Sequence, residues 1–267
     1  MRFAIIGVGG YIARKHLEAI KSVNGEVVLA YDVTDSVGIL DQYAPKAKFF
    51  TNEIDFEDAI KHAEIEYLVI CSSSDCHYVH IKIGARNGLK VICEKPVFID
   101  QDKYKEVLET DVEVFPLLQY RYMPDIEKIK NKAESLNVRY NVNRGDWYSK
   151  SWKADKGRSG GINFNIGAHL FDLATYFLGP YEKIELYSET DCSSMGKVEM
   201  RDGNFTWHLS IDNSEIPTRL FKIQDREIIL NGEGLQSSAY HFITSGVGVK
   251  LQDITNTMDL LFAMKGR

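Results

Sequence analysis

Met1-Arg2-Phe3-Ala4-Ile5-Ile6-Gly7-Val8-Gly9-Gly10-Tyr11-Ile12-Ala13 opens the chain. Arg2 to Ile6 is a short apolar run, a glycine-rich turn follows, and Ile12 to Val23 places apolar residues at helical spacing. Glycines let a backbone turn sharply and approach a pyrophosphate, whose charge meets the N-terminus of the next helix. The usual fingerprint has a third glycine where Ile12 stands, with Ala13 as the next small residue. A glycine-rich turn alone is a frequent coincidence. Here the strand–turn–helix order accompanies it, and Asp32 ends the second strand (Glu26 to Tyr31), 20 residues after Ile12. That is close to the offset at which an acid holds the adenosine ribose hydroxyls. An acid with no basic neighbour repels a 2′-phosphate, which points to NAD rather than NADP.

Strand and helix signals continue to alternate outward from this turn. Phe56 to His62 is a helix, Tyr67 to Cys71 a continuous apolar run, Tyr78 to Asn87 a helix ended by Gly88, and Leu89 to Cys93 a strand. A helix begins at Lys103 to Leu108, and Val112 to Gln119 is a further strand. Strands that are apolar throughout and separated by helices imply a parallel sheet covered on both faces. After about Tyr120 the pattern changes to long alternating runs: Val138 to Val142, Lys183 to Glu189, Val198 to Arg201 and Phe205 to Asp212. Asp202-Gly203 is a tight hairpin signal between the last two, and one long helix is expected near Ile166 to Phe177. The expected architecture is α/β: an NAD-binding, doubly wound parallel sheet of Rossmann type over 1–120, then an α+β domain with an open mixed sheet over 121–267, for substrate and oligomerisation.

The 267 residues suffice for one large domain or two modest ones. A hydrophobic content of 44% and a charged content of 26% are ordinary for a globular protein. A net charge of -6 argues against a nucleic-acid binder, which normally shows a basic face. No apolar stretch reaches bilayer length, and the first residues are too short for a secretory signal. Cys71, Cys76, Cys93 and Cys192 lack metal-binding or disulfide spacing, so a reduced cytoplasmic protein is expected.

Three stretches carry chemistry. Cys93-Glu94-Lys95-Pro96 ends a strand-like run, and its lysine falls where a nicotinamide ring would meet a substrate. Ser72-Ser73-Ser74 follows the strand at Tyr67 to Cys71, at the sheet end where ligands gather. His77, next along, can face the cofactor, whereas His80 and His16 read as packing residues. Third, in Gly161 to Asp172, the residues Asn165, His169 and Asp172 fall at i, i+4 and i+7 of a helix, within a stripe about 60° wide. Asp172 either orients His169 or bonds nearby backbone. Ahead of this stretch, Arg144, Lys150, Lys153, Lys156 and Arg158 crowd together with Trp147, Tyr148 and Trp152, a basic–aromatic patch suited to an anionic ligand. Tyr148 and Lys153 are its best candidates, and Lys156 and Arg158 read as solvated.

Gly-x-Gly-Gly-Tyr-Ile-Ala-x-x-His, Glu94-Lys95-Pro96 and Gly-x-x-x-Asn-x-Gly-x-His-x-x-Asp together resemble the glucose–fructose oxidoreductase / inositol dehydrogenase family. Within it, Tyr31-Asp32, Phe49-Phe50-Thr51, Leu118-Gln119-x-Arg121 and Arg144-Gly145-x-Trp147-Tyr148-x-Lys150-Ser151-Trp152-Lys153 are similar to the bacterial UDP-N-acetylglucosaminuronate 3-dehydrogenase branch. That branch has asparagine at the position of Asn165, where many family members have aspartate.

The resemblance implies NAD-dependent oxidation of the C3 hydroxyl of a UDP-linked sugar acid, in O-antigen biosynthesis. It implies a cofactor set of Gly7, Gly9, Gly10, Tyr11, Ile12, Asp32, Ser72, Ser73, His77, Glu94, Lys95 and Gln119. Lys95 and His169 are the expected catalytic pair on one carbinol, one as general base and the other holding the alkoxide, with their order left open. Arg121, Tyr148, Lys153 and Asn165 are expected on the substrate with them. No metal, nucleic acid or membrane is required, and a homodimer or homotetramer is expected to cover the open sheet. Two alternatives stand beside this. One is a dehydrogenase of a free polyol such as inositol, for which the basic–aromatic patch has no use. The other is a non-catalytic dinucleotide-binding regulator, which needs neither Lys95 nor His169.

Overall fold

The computed structural model describes residues 1–129 and 133–265. They form two compact units, Met1–Gln119 with Glu233–Gln252, and Tyr120–Gly232 with Asp253–Arg267.

The first unit is built on β1 (Arg2–Ile6), α1 (Ala13–Ser22), β2 (Glu26–Tyr31), α2 (Ile39–Tyr43), β3 (Lys48–Phe50), α3 (Glu53–Lys61), β4 (Tyr67–Ile70), α4 (His77–Arg86), β5 (Lys90–Cys93), α5 (Gln101–Leu108) and β6 (Val114–Pro116). All six strands are parallel, in the order β3-β2-β1-β4-β5-β6. This is the doubly wound arrangement expected from the unbroken apolar strands, and Phe3, Ala4, Ile5, Leu68, Val69 and Ile92 are wholly buried in it. The strand order reverses between β1 and β4, so ligands of such a sheet gather at the carboxyl ends of those two strands. Local capping follows the sequence. Asn52 Oδ1 accepts from the Ile54 and Asp55 N–H groups at the start of α3, and Asp100 Oδ1 does the same for Asp102 and Lys103 at α5.

The second unit contains α6 (Pro124–Ile129), β7 (Ser135–Asn141), α7 (Lys156–Ser159), α8 (Ile162–Asn165), α9 (Ala168–Leu178), β8 (Tyr181–Glu189), β9 (Ser193–Met200), β10 (Gly203–Ser210), β11 (Thr218–Ile223) and β12 (Arg226–Glu227). Its sheet runs β12-β11-β7-β10-β9-β8 and is mixed: β7 and β10 are parallel and the other pairs antiparallel. One face buries Leu136, Val138, Ile184, Val198, Phe205, Trp207 and Phe221, with Phe171 of α9 set edge-on to Phe205 and Trp207. The opposite face carries Asn137, Arg139, Lys197, Glu199 and Met195. The β9–β10 hairpin forms where Asp202-Gly203 signalled it. Arg201 and Asp202 make the turn and Gly203 opens β10, because a Cβ there would lie 2.0 Å from the Glu134 carbonyl oxygen.

The C-terminal stretch differs from the sequence expectation of one boundary near residue 120. It contains α10 (Leu235–Thr244), which packs on α1 in the first unit, and α11 (Thr255–Lys265), which packs on α9 in the second. The chain therefore returns to the first unit, a long-range choice that no local composition change announces. Among the described residues, no helix is long and apolar enough to cross a membrane.

Candidate active site

In the first unit the glycine-rich turn lies between the ends of β1, β2 and β4. Gly7 has φ +83°, and a Cβ there would sit 2.6 Å from the Ser72 backbone nitrogen, so the turn admits only glycine. Gly9 donates its N–H to Asp32 Oδ2 at 2.8 Å, and Thr34 donates to Oδ1 at 3.0 Å, which fixes the buried carboxylate beside the turn. Gly10 donates to the Gly7 carbonyl at 3.1 Å. Tyr11 is exposed, and Ile12 precedes α1, which has neither a side-chain cap nor an acidic residue in its first turn. Such a helix start suits a diphosphate. Gln119 Oε1 is buried and accepts no hydrogen bond among the described residues, so it is an acceptor that a ligand amide or hydroxyl would satisfy. Glycine turn, ribose-type acid, open helix start and waiting acceptor all fit a bound NAD.

The serine loop is braced from below. Ser72 Oγ meets His80 Nδ1 at 2.8 Å, and His80 Nε2 meets Glu53 Oε2 at 3.2 Å. Burial, helped by the neighbouring His77 and opposed by Asp75, pushes the His80 pKa down to about 4. Ser73 Oγ lies 3.5 Å from Cys76 Sγ. His77, expected to face the cofactor, is instead buried, with Nδ1 at 2.9 Å from the Pro96 carbonyl and Nε2 at 3.1 Å from the Ser72 carbonyl. Burial lowers its pKa and the two carbonyls oppose that. It ties the serine loop to the turn after β5 and has no ring nitrogen left for a ligand.

That turn is Glu94-Lys95-Pro96, with Lys95 half-buried and the Lys95–Pro96 peptide cis. Glu94 Oε2 accepts the Lys95 backbone N–H at 3.2 Å, and Oε1 lies 2.9 Å from His16 Nε2 and 3.4 Å from Gln236 Nε2. The Glu94 carboxylate is thus engaged by the protein, a different role from the cofactor contact expected of it.

In the second unit the expected single helical stripe is broken. Asn165 ends α8 and His169 stands in the first turn of α9, with Gly167 between the two helices. A Cβ at Gly167 would meet the Phe171 ring at 2.5 Å and the Asn163 carbonyl at 2.6 Å, so the break is a close approach that only glycine permits. Asn165 is buried, and its Nδ2 donates to Tyr148 Oη at 2.8 Å. Tyr148 Oη in turn donates to the Lys153 carbonyl at 3.3 Å. Tyr148 was expected on the substrate; in the fold it is buried and orients Asn165. The Lys153 ammonium lies 5.5 Å from the rings of both Trp147 and Trp152, a cation–π pair of contacts within the basic–aromatic loop.

His169 is half-buried, with its ring 5.0 Å from Tyr120 and inclined at 62°. Burial pushes the Tyr120 hydroxyl up to about 12, so it stays protonated. Among the described residues the Asp172 carboxylate bonds neither His169 nor backbone. It takes the Arg121 guanidinium bidentately, at 2.9 Å from Nε and 2.7 Å from Nη2, and accepts from Thr257 Oγ1 at 3.0 Å. Both members are almost wholly buried. Burial works against the charge on Arg121, but the Asp172 charge and hydrogen bonds outweigh it and its pKa is raised. Arg121, expected on the substrate's carboxylate or diphosphate, is therefore committed to an internal carboxylate. Thr257, on α11, was missed in the sequence; nothing local marks a threonine 85 residues away as a partner.

Known proteins agree with both units. A family model described as "Oxidoreductase family, NAD-binding Rossmann fold" matches residues 1–115, and one described as "Oxidoreductase family, C-terminal alpha/beta domain" matches 132–233. The WlbA (WbpB) dehydrogenase of Thermus thermophilus, solved in complex with NAD and UDP-GlcNAcA, is similar at 30% identity, with 99% of this chain and 94% of that chain covered and a TM-score of 0.94. Among curated relatives, the glucose-6-phosphate 3-dehydrogenase of Bacillus subtilis is 27% identical over 192 residues, covering 66% of this chain and 53% of that protein. The inositol 2-dehydrogenase of Rhizobium meliloti is 27% identical over 192 residues, covering 67% and 55%. The chain spans about half the length of the curated relatives it matches. With its six-stranded parallel sheet, glycine turn and mixed second sheet, the chain belongs to the GFO/IDH/MocA family of NAD-binding oxidoreductases.

Proposed function

We propose that this chain is an NAD-dependent dehydrogenase that oxidises the C3 hydroxyl of UDP-linked N-acetylglucosaminuronic acid to the 3-keto sugar, in the assembly of a cell-surface polysaccharide such as O-antigen. The observation that carries this is the likeness over nearly the whole chain to a dehydrogenase solved with NAD and UDP-GlcNAcA. The basic–aromatic loop supports it: Lys153 beside two tryptophans and the Arg144 guanidinium 5.9 Å from the Tyr148 ring suit an anionic, planar-headed ligand better than a neutral polyol.

Bound NAD supplies the hydride acceptor. Gly7, Gly9 and Gly10 would admit its diphosphate, Asp32 its ribose hydroxyls, and Ser72, Ser73 and Gln119 the remaining polar edges. His169 and Lys95 divide the proton work at the C3 oxygen. An imidazole with an ordinary pKa of about 6.5 is mostly neutral at pH 7 and accepts a proton. An ammonium stabilises the oxygen as negative charge develops, or acts as base where burial lowers its pKa. A base within hydrogen-bond reach contributes about 10²–10⁴-fold. Asn165, held by Tyr148, would bond the sugar. A homodimer or homotetramer through the open face of the second sheet accompanies this assignment, and sedimentation velocity measures it.

The test is NADH formation at 340 nm on mixing the chain with NAD and UDP-N-acetylglucosaminuronate, alongside myo-inositol and glucose 6-phosphate. Turnover of the UDP-sugar alone supports the proposal, and loss of it in Lys95→Ala and His169→Ala supports the roles. Preference for inositol would overturn the substrate, and full turnover in either variant would overturn that residue's role.

A further inference from the structure

We infer that Arg144 holds an oxyanion of the substrate proposed above, its carboxylate or its diphosphate, and so favours an acidic sugar nucleotide over a neutral polyol. The inference rests on that proposal for the identity of the substrate and on the following geometry.

Five basic side chains crowd the segment from Arg144 to Arg158, and the fold sorts them. Lys150 is exposed, Lys156 pairs with Asp191 at 3.0 Å, and Lys153 rests against Trp147 and Trp152. Arg121, the earlier candidate for an anion, is taken by Asp172. Arg144 differs from all of these. It is half-buried, and its Nε is buried with no acceptor among the described residues. No carboxylate pairs with its guanidinium among those residues either; its neighbour is the Tyr148 ring at 5.9 Å. A guanidinium stays charged at any working pH and presents only donors. A buried charged donor without an acceptor costs stability, and a carboxylate or phosphate oxygen arriving with a ligand removes that cost.

The loop fixes this side chain. Just beyond β7, the Arg144 N–H donates to Asn213 Oδ1 at 3.0 Å, and the Tyr148 N–H closes a turn on the Gly145 carbonyl at 2.9 Å. A Cβ at Gly145 would lie 3.1 Å from the Trp147 ring, so the turn is tight. These bonds set the guanidinium beside Tyr148, whose hydroxyl is 2.8 Å from Asn165 Nδ2 at the end of α8. Burial raises the Tyr148 hydroxyl, and the Asn165 bond and the Arg144 charge oppose that, so the charge is felt at the hydroxyl end of the ring. Arg144 thus lies beside the Tyr148–Asn165 pair to which the sugar contact is assigned. An oxyanion there takes paired N–H···O bonds from the guanidinium fork, roughly twice as strong as bonds between neutral groups. A neutral polyol offers no such partner.

The experiment uses the full chain with NADH bound, so that the sugar binds without being oxidised. Titration calorimetry measures the affinities of UDP-N-acetylglucosaminuronate, UDP and free N-acetylglucosaminuronate. Arg144→Gln should bind the UDP-sugar about 10- to 150-fold more weakly, the range for a hydrogen bond to a charged group. The same loss for UDP identifies the diphosphate as the partner; the same loss for the free sugar acid identifies the carboxylate. In turnover assays the KM should rise while kcat holds, as for an interaction made equally in the ground and transition states. The ligand-free variant should melt within about 2 °C of wild type, because no internal ion pair is removed. Lys156→Gln, which removes a positive charge from the same loop, should keep the affinity. Arg144→Lys, which keeps the charge, should restore part of it. Unchanged affinity for all three ligands in Arg144→Gln overturns the inference, as does Arg144→Lys binding no tighter than Arg144→Gln. A fall in kcat at unchanged KM overturns it too, since Arg144 would then only prop Tyr148. A wild type that does not bind the UDP-sugar overturns the proposed substrate instead. Glucose 6-phosphate and inorganic diphosphate then carry the Arg144 comparison, and equal affinity of wild type and Arg144→Gln for both ends the inference.

Discussion

Replacing Arg121 by methionine separates two roles for that residue. The substitution removes the hydrogen bonds at 2.9 Å and 2.7 Å to Asp172, and the contact of the guanidinium with the Tyr176 ring at 5.0 Å. Asp172, 1% exposed, would keep the Thr257 hydroxyl as a donor but lose its countercharge. Removing one member of a buried ion pair costs about 3–5 kcal/mol, because a charge is left without compensation in a poor solvent. Each kcal/mol moves the melting temperature of a chain of this size by roughly 2–4 °C. Arg121→Met should therefore melt roughly 6–20 °C below wild type by calorimetry. The double variant Arg121→Met with Asp172→Leu should regain most of that loss, since an apolar pair of similar volume is often neutral or better. The opposite pattern would refute the structural role: a melting temperature close to wild type, with the KM for the acidic sugar raised about tenfold, a change worth about 1.4 kcal/mol of binding. Arg121 would then serve the substrate, as its sequence context suggests.

Tyr148→Phe removes the acceptor for Asn165 Nδ2 and the donor to the Lys153 carbonyl. A buried donor left unsatisfied costs about 1–3 kcal/mol, so kcat/KM for the UDP-sugar should fall by about 5- to 160-fold while NAD affinity, read by fluorescence quenching, is kept. His80 predicts a pH dependence. Its folded pKa is about 4 against an ordinary 6.5, so the unfolded chain binds more protons between those values. The stability it contributes is whole above pH 6.5 and is lost as pH falls toward 4, a total of about 3 kcal/mol at 1.36 kcal/mol per pH unit. In urea titrations His80→Gln should flatten the stability profile between pH 4 and 6.5; an unchanged slope would show that His80 does not titrate there.

Much of the nucleotide half was legible because its signals are local. Apolar runs such as Tyr67 to Cys71 report burial on both faces of a sheet, and Gly7 and Asp32 report a turn and an acid at a spacing fixed by one strand–helix–strand unit. The hairpin at Asp202-Gly203 was readable for the same reason. The stripe of Asn165, His169 and Asp172 was readable only in part. Helical spacing was assumed through Gly167, yet the Phe171 ring and the Asn163 carbonyl close on that glycine and split the helix in two.

Short-range periodicity and glycine placement were enough to specify two α/β units and an NAD turn, since hydrophobic burial and backbone sterics act over a few residues. The partners of the polar groups were not contained in that information. Arg121 pairs with Asp172 across 51 positions, and His16 meets Tyr240 across 224. A charged or hydroxyl-bearing side chain satisfies itself with whichever complementary atom the packed chain brings within about 3 Å, and packing alone brings Asp172 to Arg121 and Tyr240 to His16.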